Sequence, residues 1–437
     1  MNKKALLSIL SGIALFICSC ENEEFLTTEQ SQNVNSTSKM ESILKEANNY
    51  IGLLNEGNTR NIQTRTVASI EPITRNFLNK ETLSRSSNAK DTLLYLINYQ
   101  NNGGFILMGT GEQAHKVFAV ADEGNLHFTD TLYNKGLSIF FKNLQATLQQ
   151  SQTRSSDIPI DKIPPTDMDY KVVKESSVTP MLAQSVTLWE QGAPYNNNCW
   201  TTDGKQAVAG CLPLAIAQIM TCYRHPHAVN DYIIPWRAMI RGNGGKFAAN
   251  LIAILGQKEL LDAEYGVSST SASKYNIEKT FKQMGYKSLY VNGIGFIAES
   301  NWRAYLAGDF KYFGEYNETN SPLLASGVTD TPKGREGHAW VIDGFIKNAI
   351  YLKDKGEPDS AYYLWEYDNT LYHCVWGWGG LCNGYYFLDM NSPKFDTSKG
   401  PDYTTGIETS STEPYCYDYQ LDIFAGFIPE TRDVTIN

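Results

Sequence analysis

Apolar positions recur with helical and strand periods through the first part of the chain. From Met40 to Leu54 they repeat every three or four residues, which predicts a helix. Thr92–Tyr99 and Gly104–Met108 are short apolar runs joined by a turn-forming Asn/Gly segment, so we expect two paired strands. Together with the elements that follow, these predict a small α+β domain over residues 40–150. The further elements are strands at 115–122 and 126–130 and a helix at 135–149.

The composition changes after residue 150. Residues 151–178 are rich in Ser, Thr and Asp and contain three prolines, which predicts a cleavable linker, with the cut between about Ser151 and Lys174. Trp, Tyr and Gly are frequent beyond it, and a second domain is expected over 179–437. Its predicted helices are 211–223, 246–255 and 273–284, and its predicted strands are 338–346, 360–368, 371–377 and 384–390.

Residues 1–20 have the features of a targeting segment rather than of a folded element. Lys3 and Lys4 precede an apolar stretch that is too short to cross a bilayer comfortably, and Cys20 ends the segment. This arrangement resembles a bacterial lipoprotein signal with Cys20 as the lipidated residue; secretion with cleavage nearby is the alternative. We expect an exported outer-membrane lipoprotein that faces the periplasm or the cell surface. Only the lipid would hold it to the membrane, with residues 21–39 as a flexible tether.

Length, charge and cysteine content narrow the function classes. At 437 residues the chain is too long for one ordinary domain. The formal charge of −10, without a long basic run, argues against nucleic acid as a partner. Setting aside Cys18 in the signal and Cys20 as the lipid site, no CxxC pair occurs, and the spacing of His373, Cys374 and Cys382 does not match a zinc site. We expect neither a metal nor another cofactor, and the disulfide pairing stays open.

Cys211 follows Gly210 directly and begins an apolar helical pattern. A cysteine in the first turn of a helix lies at the positive end of the macrodipole, which favours the nucleophilic thiolate. Pro213 is tolerated there because it falls within the first turn. The alternative is a small buried hydrophobic residue, which is the more common role of a lone cysteine.

His338 makes the nucleophile hypothesis stronger. It lies between Gly337 and a strand-like run that ends at Asp343, and an imidazole has the pKa needed to accept a thiol proton and return it to a leaving amine. Gln191, upstream of the cysteine, offers a side-chain NH₂ for an oxyanion hole, with the backbone N–H of Cys211 as the second donor. The other histidines suit the base role less well: His115, His127, His225, His227 and His373.

Four separated blocks resemble, in order, the streptopain family of papain-like cysteine peptidases. The resemblance spans about 179–430, and the first domain resembles the inhibitory propeptide that precedes these enzymes. It implies an α+β fold with a helical lobe and an antiparallel β-sheet lobe, and a secreted zymogen activated by cleavage in the linker. It also implies Cys211 as nucleophile, His338 as base, Gln191 in the oxyanion hole, and Trp376 and Trp378 as the wall of the active site. The blocks are Trp189 to Asn196, Gly210 to Met220, Gly337 to Gly344, and Trp376 to Tyr386.

Val375 departs from the family pattern, which usually has asparagine there to orient the histidine. We expect either the main-chain carbonyl near Trp376 or a different side chain to hold Nδ1 of His338 instead. Leu212 and Pro213 are a second departure, since smaller residues are usual after the cysteine.

The leading hypothesis is an endopeptidase zymogen whose partners are protein or peptide substrates and its own prodomain as inhibitor. The resemblance implies a hydrophobic substrate side chain two residues before the scissile bond. The alternatives are a catalytically impaired lipoprotein that binds peptides or proteins, and an inhibitor protein whose first domain acts on other peptidases.

Overall fold

The computed structural model describes fourteen stretches of the chain, and the site residues predicted in the second domain lie within them. Cys20 and Cys416 lie outside the described residues, as do the predicted signal, the tether and linker residues 154–167. The described residues are 40–53, 65–74, 92–110, 114, 116–121, 123–127, 135–153, 168–242, 244–292, 299–312, 315–317, 319–331, 334–388 and 421–430.

The chain divides into two compact units, Met1–Asn49 and Tyr50–Asn437. The described residues of the first unit, 40–49, are helical, and the helix ends at residue 53. We name this helix, 40–53, α1. The other helices are α2 (Lys135–Thr153), α3 (Gln184–Thr187), α4 (Cys211–Tyr223), α5 (Trp236–Ile240), α6 (Gly245–Leu255), α7 (Ile277–Gln283) and α8 (Glu299–Ala307).

Antiparallel strands dominate the second unit. They are β1 (Val67–Thr74), β2 (Thr92–Tyr99), β3 (Phe105–Gly109), β4 (Val117–Ala121), β5 (Met168–Val178), β6 (Ala228–Val229), β7 (Tyr232–Ile233), β8 (Tyr286–Asn292), β9 (Phe310–Tyr312), β10 (Glu315–Asn317), β11 (Leu323–Thr331), β12 (Gly334–Asp354), β13 (Tyr363–Val375), β14 (Gly384–Tyr386) and β15 (Leu421–Pro429).

Within the described part of the chain, eleven strands form one sheet in the order β1-β2-β3-β4-β14-β13-β12-β11-β15-β8, with β5 pairing along β12. The sheet is continuous from the predicted prodomain into the predicted peptidase domain, because β4 pairs with β14. The predicted domain boundaries at 150 and 178 stay predictions.

The central sheet carries apolar clusters on both faces because side chains alternate along each strand. On β12, Ala339 and Val341 face the cluster that surrounds α4, whereas Trp340 and Ile342 face the cluster that includes α2. Helix α4 is buried on nearly all sides from Leu212 to Thr221, which explains why its sequence is apolar all round. The sheet and α4 therefore position the predicted nucleophile against β12.

The predicted α+β class is confirmed: helices α3 to α7 lie between residues 184 and 283, and most of the described strands before and after them form one antiparallel sheet. The helix predicted at 211–223 is confirmed as α4, and those at 135–149, 246–255 and 273–284 are confirmed within a few residues. The strands predicted at 360–368 and 371–377 are one strand, β13. The strand predicted at 126–130 is wrong where it is described, because Leu126 and His127 are not in a strand.

Part of the predicted linker is a regular element. Residues 168–178 form β5, which pairs with β12 from Met168↔Asp354 to Val178↔Phe345. Its side chains are exposed or half-buried, as expected for an edge strand, so its composition is similar to that of a loop. Among the described residues, no helix has both the length and the apolar character needed to cross a membrane.

Candidate active site

Cys211 is the first residue of α4, and Gly210 before it has φ 86°. Only glycine adopts this conformation readily, and an added Cβ at Gly210 would lie 3.0 Å from Cγ2 of Thr270. Thr270 in turn donates a hydrogen bond to the carbonyl of Val208 at 2.6 Å. The turn that presents the thiol at the helix start is therefore held by a neighbouring loop.

The Cys211 thiol lies against β12. Burial raises the pKa of the Cys211 thiol. A hydrogen bond from the backbone N–H of Ala339 lowers this pKa, and the positive charge of Lys135 lowers it further. The backbone N–H groups of Cys211 and Leu212 act in the same direction as that charge. The thiol form is favoured in the intact chain, while donors that stabilise a thiolate already surround the sulfur.

His338 lies on β12 and is only 2% exposed. Its Nε2 is 3.0 Å from the main-chain carbonyl oxygen of Trp376, and its ring stacks on Trp340 with centroids 6.1 Å apart. Burial lowers the pKa of His338 to about 4; the Trp376 carbonyl acts in the opposite direction, and the charge of Lys135 lowers the pKa further. A neutral imidazole that donates from Nε2 to this carbonyl keeps Nδ1 unprotonated and able to accept a proton.

The carbonyl that we expected near Trp376 is present, but it meets Nε2 and not the predicted Nδ1. Val375, at the position where the resemblance predicts asparagine, is fully buried in the α4 cluster. Its side chain has no polar atom, so the histidine is held by the backbone of the next residue instead.

The structure brings Cys211 to β12 but does not pair it with His338. Among the described residues, the His338 ring hydrogen bonds to Trp376 and makes none with the Cys211 sulfur. The imidazole packs with Trp340 and Trp376 on the α2 face of the sheet, whereas Ala339, next in the chain, faces α4.

Residues at the start of α2 occupy the space beside the histidine. A Cβ added to Gly136 would lie 2.3 Å from Cε3 of Trp376 and 3.0 Å from Cδ2 of His338, so only glycine permits this approach. Lys135 places its charge close enough to influence the pKa of both Cys211 and His338. Both residues belong to the predicted prodomain. Their contacts could not be predicted from the sequence, because no local pattern signals a contact with residues so far along the chain.

Gln191 is half-buried and lies beside the segment that leads to the cysteine. Its carbonyl accepts a hydrogen bond of 2.9 Å from the backbone N–H of Ala209. The neighbouring Glu190 forms an antiparallel bridge with Trp378, whose ring lies 6.3 Å from the His338 ring. Gln191 therefore directly follows the residue that pairs with Trp378, and the Trp378 ring lies near the imidazole.

Asn383 is a second positioning residue that sequence analysis missed. Its Oδ1 accepts the backbone N–H of Trp376 at 3.0 Å, and its Nδ2 donates to the carbonyl of Thr187 at 2.9 Å. The indole N–H of Trp376 donates to the carbonyl of Cys382. These bonds fix the residue whose own carbonyl holds His338. The signal in the sequence that could have identified Asn383 is its position as a polar residue inside the aromatic and glycine-rich block.

His373, which we considered a poor base, has a structural partner. Its Nδ1 lies 2.6 Å from Oδ1 of the fully buried Asp343, and Oδ2 of that carboxylate accepts the backbone N–H of Leu182 at 2.9 Å. This pair ties the start of the second domain to the sheet. Cys199, Cys211, Cys222 and Cys374 are free thiols.

The site combines a thiol at the start of a buried helix with a histidine on the adjacent strand, and these are the residue types that cysteine peptidases use. Residues 189–386 match the peptidase C10 family model, and residues 24–148 match that of the Spi protease inhibitor family. The chain is therefore similar to the peptidase C10, or streptopain, family of cysteine peptidases over one region and to the Spi protease inhibitor family over an earlier one.

Two curated relatives illustrate the similarity. The chain is 23% identical over 372 residues to the thiol protease/hemagglutinin PrtT of Porphyromonas gingivalis, an alignment that covers 75% of this chain and only 38% of that protein. It is 22% identical over 344 residues to streptopain of Streptococcus pyogenes serotype M1, covering 69% of this chain and 75% of streptopain.

Two solved structures are also similar. A prointerpain A fragment of Prevotella intermedia has a TM-score of 0.47 and 15% identity, covering 82% of this chain and 98% of the fragment. The active interpain A cysteine protease has a TM-score of 0.33 and 20% identity, covering 49% of this chain and 88% of that one.

Proposed function

We propose that this chain is the zymogen of a cysteine endopeptidase that hydrolyses peptide bonds with Cys211 as nucleophile and His338 as base. The observation that carries the proposal is the packing of Gly136, from the prodomain, against His338 and Trp376. Only glycine lets the start of α2 approach His338 this closely. The same segment therefore occupies space that a substrate would need beside the histidine.

In the active enzyme, Nδ1 of His338 takes the proton of the Cys211 thiol and the sulfur attacks the scissile carbonyl carbon. The oxyanion is stabilised by the side-chain NH₂ of Gln191 and the backbone N–H of Cys211. His338 then donates its proton to the leaving amine, and a water molecule hydrolyses the resulting thioester.

In the intact chain, the start of α2 keeps the imidazole on the α2 face of the sheet, and the charge of Lys135 disfavours the imidazolium. Removal of the prodomain frees His338 to turn toward Cys211. Cleavage in the linker begins activation, and departure of the prodomain completes it. The protein acts outside the cytoplasm, anchored to the outer membrane by lipid on Cys20.

Purified full-length protein incubated with casein tests the proposal. We expect cleavage of the linker and hydrolysis of casein, and loss of both in Cys211→Ala. Cys222→Ala is the matched control, because this half-buried free thiol lies in the last turn of the same helix. Unchanged hydrolysis in Cys211→Ala would contradict the assignment.

A second candidate function is a peptidase fold that binds peptides without cleaving them. It is favoured by Val375 and by the absence of a hydrogen bond between Cys211 and His338 among the described residues. The rate at which an epoxide inhibitor labels Cys211 in the processed chain separates the two functions. Labelling no faster than that of an unactivated thiol at neutral pH would favour the binding protein.

A further inference from the structure

The prodomain is attached to the peptidase domain at a second place, away from the thiol. Strand β4 pairs antiparallel with β14, in the register Gly384↔Ala121, Tyr385↔Val120 and Tyr386↔Ala119. One residue further on, the backbone N–H of Phe387 donates to the carbonyl of Phe118 at 2.8 Å. In the sheet order, β14 lies between β4 and β13, so β14 is the last peptidase strand on that side.

Gly384 shows that the approach of the two strands is close. A Cβ added to Gly384 would lie 2.2 Å from the carbonyl oxygen of Val120 and 2.7 Å from Cα of Ala121. The third nearest atom is the carbonyl carbon of Val120, at 3.0 Å. All three atoms belong to β4. The glycine is therefore required by the prodomain strand, and those neighbours are absent once the prodomain has left.

The side chains on β4 suit this close pairing. Ala119 and Ala121 are fully buried and small, while Phe118 is 2% exposed and meets Phe387 edge to face, with ring centroids 5.6 Å apart. Main-chain hydrogen bonds supply affinity in strand addition, and side chains along the added strand supply selectivity. An extended peptide with small residues and one aromatic residue fits this edge.

We propose that the outer edge of β14 is a strand-addition site for β4 of the prodomain, and that it holds the prodomain on the peptidase after the linker has been cut. An unpaired edge strand offers a row of backbone donors and acceptors to an extended peptide. The edge is separate from the Gly136 contact at His338. The β14 edge is thus a contact of the prodomain that does not touch Cys211 or His338. The inference rests on the proposed zymogen function, but its test needs no peptidase activity.

The test uses the full-length Cys211→Ala chain, cut in the linker by an added peptidase, and asks whether the prodomain co-elutes with the rest in gel filtration. We expect co-elution in this parent and roughly tenfold weaker retention with Gly384→Ala added, because the methyl group collides with β4. Gly52→Ala is the control, since an added Cβ there meets no atom within 4 Å. Equal retention in the Gly384→Ala and Gly52→Ala chains would overturn the proposal.

A second measurement covers the case in which Gly384→Ala does not fold. The amide of Phe387 donates directly to β4, so its hydrogen exchange reports on the edge in the parent chain. We expect exchange at least about tenfold faster after the prodomain is separated from the cut chain. Unchanged exchange of this amide would show that β4 does not protect the edge. Because both readouts use an inactive chain, a failure of the peptidase hypothesis would leave them interpretable.

Discussion

Nε2 of His338 lies 3.0 Å from the main-chain carbonyl oxygen of Trp376. A backbone carbonyl thus does what a side-chain amide at position 375 would otherwise do. It is itself held in place, because Asn383 binds the backbone N–H of the same tryptophan. His338 therefore keeps a hydrogen-bond partner although the expected asparagine is absent. That partner is a backbone atom of Trp376, so no substitution of the Trp376 side chain removes it.

Restoring asparagine at position 375 is expected to harm the protein rather than improve it. Val375 is fully buried in an apolar cluster, so the Val375→Asn amide would be buried without a designed partner, at a cost of about 1–3 kcal/mol in the free energy of unfolding. Urea unfolding and kcat/KM of the processed chain measure this. Val375→Ala is the control that opens a cavity without adding a polar group. A variant that is more active and equally stable would show that the carbonyl does not suffice.

Gly136→Ala is expected to loosen the prodomain at the catalytic residues. The new methyl group would lie 2.3 Å from Cε3 of Trp376, which forces α2 or the indole to move. We expect an epoxide inhibitor to label Cys211 of the intact chain several-fold faster than in the parent. The activity of the processed enzyme should not change, because Gly136 leaves with the prodomain. Gly52→Ala should behave as the parent does; equal labelling rates in all three chains would exclude Gly136 as an inhibitory contact.

The intact chain is expected to lose stability in mild acid. Burial lowers the pKa of His338 from 6.5 to about 4, so the folded chain favours the neutral imidazole. The contribution to stability is complete above pH 6.5 and is lost as the pH falls toward 4, because the unfolded chain then binds a proton that the folded chain does not. The shift corresponds to roughly 3 kcal/mol.

Urea midpoints of the Cys211→Ala chain between pH 7 and 4 measure this loss. Adding His338→Gln removes the titrating group, so the double variant should lose less stability over the same range. Parallel pH profiles for the two chains would show that His338 does not titrate as its environment indicates.

Gln191→Ala is expected to lower kcat of the processed enzyme by about 10²–10³-fold with little change in KM, because the amide donates mainly to the oxyanion of the transition state. Gln191→Glu is a matched variant that keeps the size of the side chain but replaces the donor with an acceptor, and it should be at least as impaired. The backbone contact between Gln191 and Ala209 should survive in both variants. A change confined to KM would indicate a substrate-binding role instead.

Local signals were enough for the helix that carries the thiol. Gly210 marks its start, the apolar residues mark its course, and α4 spans the predicted residues. By contrast, β5 was hidden in a polar segment, because its side chains are exposed or half-buried and its partner β12 comes much later in the chain. Strand β11, with Gly327 at its centre, was missed for the same reason: its pairing with β12 and β15 depends on tertiary context.

In the candidate site too, some residues have a local sequence signal and others depend on tertiary contacts. Cys211, His338 and Trp376 were found because their blocks have recognisable composition and order. The contact of Gly136 with two of those blocks was not predictable, since a glycine at the start of an amphipathic helix is ordinary until the fold brings it to an indole ring. The choice of Nε2 rather than Nδ1 depends on side-chain orientation, which the sequence pattern does not encode.

The most direct test of the central claim is to react the processed chain with a limiting amount of epoxide inhibitor and map the modified residue by mass spectrometry. We expect Cys211 to carry the label and Cys222, in the last turn of the same helix, to remain unlabelled. Labelling should disappear in His338→Ala, because the base that forms the thiolate is then missing. Equal labelling of Cys211 and Cys222, or labelling of Cys211 that is independent of His338, would contradict it.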